Sequence, residues 1–231
     1  MIRRTYDHLS HHFGVVRSLA TKRVISSFDD EYGLVYFGFV DQHSDEHELI
    51  RGVTLSPNHH DRHYSVGAIK GFDVSLVQRT DKVSFPNKPS RYFTWVIMQF
   101  DLHVTEGAFP HIFIDAHHHD ETFLANLSVK FQQMHHVDKT QFSSHDPLFV
   151  KGFNVFTAHA DTPLLPYVLT PEVTATLGHH FKHFDFEIQG DKLLVYSSNT
   201  MVTRHTLVHM ARVGLWLGAV LDSNAATLPQ R

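Results

Sequence analysis

The sequence contains no cysteine, which excludes disulfide frameworks, thiol nucleophiles, iron–sulfur clusters and cysteine-type zinc sites together. It also lacks a basic excess. The 24 acidic residues against 20 Lys and Arg leave a formal charge of −4, so nothing draws the chain to a phosphate backbone or an anionic bilayer, and no nucleic-acid partner is expected. Long apolar runs are missing too: the longest, Val213 to Leu221, has nine residues, against the ~20 that span a bilayer as a helix. The N-terminal stretch from Met1 to His8 has basic residues but no apolar segment of the kind secretion requires. No membrane span and a cytoplasmic location are therefore expected. A GxxxxGK[ST] loop, a GxGxxG turn and a Gly-x-Ser-x-Gly elbow are all absent, which removes local support for nucleotide chemistry and for serine hydrolysis.

What the chain does have is apolar mass and histidine. With 42% hydrophobic and 19% charged residues over 231 positions, it has enough apolar side chain for a substantial core. Its 19 Phe, with Trp95 and Trp216, are expected mainly inside that core rather than around a ligand. The 22 His are scattered from His8 to His209 and do not form a tag. Because an unperturbed imidazole titrates near ~6.5, half-protonating all of them moves the formal charge from −4 to roughly +7. The sign of the net charge changes just below neutrality.

Periodicity gives an α+β fold: largely antiparallel sheets with a few packing helices. Strands are expected at Arg23 to Ser27, Gly33 to Asp41, Leu49 to Leu55, Phe72 to Val77, Tyr92 to Val104 and His111 to His117, with Asp29-Asp30-Glu31 as a turn. A helix is expected from His119 to Gln133, with Phe123, Leu124, Leu127 and Phe131 on one side. The polar stretch Lys139 to Pro147 is the best internal boundary, dividing a β-rich α+β region (residues 1–138) from a β-α-β-β-α region (139–231), unless the two form one continuous domain. In the second region, Thr170-Pro171-Glu172 opens a helix to about His180: Thr supplies a capping oxygen, Pro suits the first position and Glu complements the dipole. Strands Phe184 to Gln189 and Lys192 to Tyr196 meet at a Gly190-Asp191 turn. A closing amphipathic helix, Thr203 to Leu221, carries Leu207, Met210, Gly214, Leu217 and Leu221 in one stripe and should lie on the sheet. Its Gly214/Gly218 spacing suits close backbone packing better than a membrane dimer.

The densest chemistry lies at the end of one strand. His111, Asp115, His117, His119 and Asp120 offer imidazoles and carboxylates within ten residues, ligands that Zn²⁺ or another divalent ion accepts and that a metal-activated water would need. Gln99, Asp101 and His103 share one face of the preceding strand, and the two polar sets meet if these strands form a hairpin in the matching register. Five His pairs lie four apart (His8/His12, His43/His47, His59/His63, His179/His183, His205/His209), where about two arise by chance, and none carries the Glu of an HExxH motif. The simpler expectation is a polar sheet face and an exposed histidine turn, with no catalytic residue and no cofactor.

Three segments of the last third, Gly152 to Phe156, Tyr167 to Pro171 and Phe186 to Tyr196, followed by the final helix, resemble the C-terminal globular part of uncharacterised bacterial proteins, many of which carry a membrane anchor. The resemblance covers about 70 residues, rests on turns, caps and core positions, and carries over no catalytic residue. It implies a fold of unnamed activity. The resulting expectation is a non-catalytic module that binds a protein or small ligand through a pH-sensitive, His-rich surface, with homo-oligomerisation left open; the competing one is a divalent-metal hydrolase at the Asp115/His117/His119 cluster.

Overall fold

The computed structural model describes residues 18–39, 50–56, 59–83, 91–116, 123, 127, 129–198 and 202–228. Among the described residues nine strands form one sheet: β1 (Val35–Phe39), β2 (His60–Ile69), β3 (Phe72–Val83), β4 (Arg91–Asp101), β5 (Phe109–Asp115), β6 (Met134–His136), β7 (Asn154–Ala158), β8 (Asp185–Gly190) and β9 (Lys192–Ser197). Their order across the sheet is β1-β2-β3-β4-β9-β8-β5-β7-β6, and every neighbouring pair is antiparallel. Strands from both sides of residue 139 thus alternate in one ladder. Helices α1 (residues 18–32), α2 (through residues 123, 127, 129 and 130), α3 (Pro147–Gly152), α4 (Leu165–Val168), α5 (Pro171–His180) and α6 (Arg204–Ala225) complete an α+β fold.

The pleat sorts the strand residues into two cores. Val74, Leu76, Met98, Phe100, Ile112, Ile114, Phe186 and Val195 face the larger one, where Ile25 and Phe28 of α1 and the apolar stripe of α6 pack. Val77, Trp95, Ile97, Phe113, Leu194 and Tyr196 face the other way, toward Ile50 and Val53 of an irregular segment and Phe123 and Leu127 of α2. Along α6, Leu207, Met210, Gly214, Leu217 and Leu221 are all buried, so the expected stripe lies on the sheet. Thr203 caps its first turn by accepting from the Thr206 amide at 3.1 Å. The Gly pair has a steric cause: a Cβ at Gly214 would stand 2.0 Å from Phe100, and one at Gly218 would stand 3.0 Å from Phe72. At α5, Thr170 is the N-cap and Pro171 the first residue, as the sequence indicates. Gly190 takes φ +64 at the first position of the β8–β9 turn, where a type II′ turn requires it.

Three expected elements and one expected strand pairing differ. Arg23 to Ser27 is helical, inside α1, because Thr21, Ile25 and Phe28 repeat at four and three and are buried, a period that the β-branched residues between them obscure. Asp29-Asp30-Glu31 is accordingly the last turn of α1. That helix stops at Gly33, φ +75, where the Leu34 amide reaches back to the Asp29 carbonyl at 2.9 Å. Leu49 to Leu55 is not a strand either: residues 50–55 lie irregularly across the second face of the sheet. Nor do β4 and β5 form a hairpin, since β9 and β8 lie between them.

Candidate functional site

The second face of the sheet carries a layer of buried charge. Arg79, at the centre of β3, is fully buried and donates from Nε and Nη2 to the two carboxylate oxygens of Asp61 on β2, at 2.8 and 2.7 Å. Its remaining donors reach the Ile50 carbonyl and the Thr54 hydroxyl at 3.2 Å, both in the segment above. Asp81, one pleat further along β3, accepts from the Ser56 hydroxyl. Glu187 on β8 is also fully buried; its Oε2 accepts the Val53 amide at 2.8 Å and the Tyr196 hydroxyl. Lys130 of α2 donates to the carbonyls of Val53, at 3.3 Å, and Leu55.

This arrangement fixes residues 50–56 to the sheet through ions rather than through a ladder. A loop with few backbone partners needs side chains to satisfy its amides and carbonyls, and a buried ion needs its own bonds completed. Each supplies the other here. The electrostatics follow from burial: desolvation pulls the Lys130 ammonium below its ordinary value despite Asp81 nearby. Burial first, then the Glu187 carboxylate, pushes the Tyr196 phenol well up, so it remains a donor to Glu187. Gly52 takes φ +95 where a Cβ would meet the Tyr196 hydroxyl at 2.3 Å and Glu187 at 2.6 Å.

His111 stands at the edge of this network. Its Nε2 lies 2.6 Å from Glu187 Oε1, and its ring packs edge-on against Phe131. Beside it opens a cleft of about 480 Å³, with Arg51, Gln99, Glu106, Gln189 and Lys192 among its walls. A second hollow of about 370 Å³, reached by Lys130 and Asp161, lies on its other side. His111 is common to both. The cleft presents amides and charges of both signs, suited to orienting a polar ligand.

Of the five residues expected to hold a metal, His111 faces Glu187, and Asp115 is buried and accepts from the Asn154 amide group at 3.3 Å. His117, His119 and Asp120 lie outside the described residues. Their strand positions set His111 and Asp115 four residues apart on one face, a span of about 13 Å along a strand. No group of three or more His, Cys, Asp or Glu side chains that could hold a metal occurs among the described residues. The neighbours proposed for the cluster go elsewhere: Asp101 pairs with Lys192 at 2.8 Å, and His103 binds Asp222 of α6 at 2.7 Å and the Gly71 carbonyl. Arg79, Asp61, Glu187 and Lys130 are the residues that sequence reasoning overlooked. The available signal was a single charge inside an otherwise apolar strand, as in Phe186-Glu187-Ile188.

The fold and this site together define an α+β protein with one antiparallel sheet, α1 and α6 on one face, and α2 with an ion-clamped loop on the other. No family model and no curated protein matches the chain. A similar fold occurs in the crystal structure of the mycobacterial trehalose monomycolate transport factor A, TtfA, with a TM-score of 0.59 at 11% identity, over 92% of this chain and 98% of that one. At that identity the likeness is one of fold.

Proposed function

We propose that this chain is a non-catalytic binding module with a transport-associated role, and that it takes a small polar ligand in the cleft beside His111. The observation that carries this reading is the engagement of the buried charges: Arg79, Asp61, Asp81 and Glu187 are tied to residues 50–56 or to one another, which leaves the cleft lined by groups that orient a ligand rather than activate water. The fold shared with a protein named as a transport factor supports the role. The expected pH sensitivity is assigned to the His-rich surface as a whole, while His111, held by Glu187 at 2.6 Å, gives the cleft a fixed polar wall.

Amide chemical-shift mapping of the labelled protein against a library of small polar compounds, at pH 7.5 and pH 6, tests this. Saturable shifts grouped at Gly52, Gly107 and Gly190, which differ between the two pH values and which His111→Gln weakens, are expected. Turnover of p-nitrophenyl acetate or phosphate in added Zn²⁺, abolished by His111→Ala or Asp115→Ala, would instead establish the metal-hydrolase reading.

A further inference from the structure

On the opposite face of the molecule, α5 and α6 leave a groove of about 410 Å³ lined by Thr176, His180, Phe181, His209, Arg212 and Trp216. Its volume is within the ~300–1,000 Å³ usual for ligand sites. Phe181 and Trp216 form its apolar floor, their rings stacked at 6.1 Å and 23°. Every charged or titratable side chain in the lining carries or accepts a positive charge, and no carboxylate is among them. Arg212 is exposed and makes no ion pair among the described residues. His205 adds to the crowding, its ring 4.0 Å from that of His209. Burial foremost, then His205 and Arg212, hold His209 below the ordinary histidine value.

An apolar floor beside a guanidinium that no carboxylate among the described residues pairs with is a two-part recognition element. The planar fork of Arg212 matches a carboxylate, with His209 and His180 adding donors, while the ring pair covers a hydrocarbon tail. We propose that this groove binds a free single-chain amphiphilic carboxylate, its head at Arg212 and its tail over Phe181 and Trp216. A membrane surface is a poorer occupant, because the whole chain carries a formal charge of −4. The site is separate from the cleft at His111 and stands on different residues, so either can fail without the other.

The protein has two tryptophans, and Trp95 is buried in the opposite core, so it serves as an internal reference. In protein labelled with 5-fluorotryptophan, with the resonances assigned through Trp216→Phe, decanoate below its micellar concentration should shift Trp216 saturably and leave Trp95 in place. Decanol should bind at least about ten-fold more weakly, and Arg212→Gln should weaken decanoate by a similar factor. Lowering the pH from 7.5 to 6, where decanoate stays ionised, should tighten binding about three-fold, and His209→Gln should reduce that gain. Unaltered circular dichroism and melting would show that each variant is folded. Silence of Trp216, equal affinity for decanol, decanoate binding indifferent to both Arg212→Gln and His209→Gln, or a larger response to phosphatidylglycerol vesicles than to decanoate would each overturn the proposal.

Discussion

Two residues show how little freedom the interior leaves. Gly214→Ala would drive a methyl to within 2.0–2.2 Å of the Phe100 ring, and that ring is held between α6 and Phe72. Overpacking of this kind costs about 1–3 kcal/mol, so a melting temperature lowered by several degrees is expected by calorimetry. Arg79→Ala is more severe, since it strands the Asp61 carboxylate and two loop acceptors in a buried layer. Loss of one partner of a buried pair costs about 3–5 kcal/mol, and Arg79→Met combined with Asp61→Leu should recover much of it in urea unfolding. No recovery in the double variant would mean that the contacts to residues 50–56, rather than the ion pair, carry the cost.

The elements divide by how local their causes are. α6, α5 and the β8–β9 hairpin were legible because caps, a Gly turn and a 3–4 stripe all lie within the segments themselves. α1 was misread because Val24 and Ile25 favour strand locally, and packing of Ile25 and Phe28 against the sheet overrides that preference. Partner choice was hidden as well: nothing in β4 or β5 announces that β8 and β9, about ninety residues later in the chain, will lie between them. The candidate site was half legible for the same reason. His111 stood out by composition, whereas the Glu187 that orients it and the Arg79 that holds the neighbouring loop became visible only through tertiary placement. That loop is the element most exposed to a single change. Gly52→Ala would strain φ +95 and crowd Tyr196 and Glu187, so it should loosen residues 50–56 and speed exchange of the Val53 amide by at least about ten-fold. Unchanged protection of that amide would show that the ions alone hold the loop.

At the scale of the whole molecule, the histidines set how stability responds to acid. Burial lowers the affinity of His63, His135, His145 and His209 for a proton, aided at His63 by Arg62 and Lys22 and at His135 by His159, whose ring stacks 3.4 Å away. In the unfolded chain each takes a proton near ~6.5, whereas in the fold each resists it to lower pH. Unfolding therefore takes up protons as the pH falls through that value. The stability these four contribute is fully present above it and declines below it. His103 acts in the opposite sense: the Gly71 carbonyl and Asp222 raise its value, so its contribution is present below ~6.5 and lost as the pH rises through the raised value. It is largely exposed and single, so the four with lowered values, one buried and three half-buried, dominate. The urea midpoint should accordingly be lower at pH 5.5 than at pH 7.5, and His103→Gln, which removes the opposing group, should steepen that fall. A midpoint that stays level or rises on acidification would mean that these four rings gain partners when protonated, with His135 and His159 separating to do so.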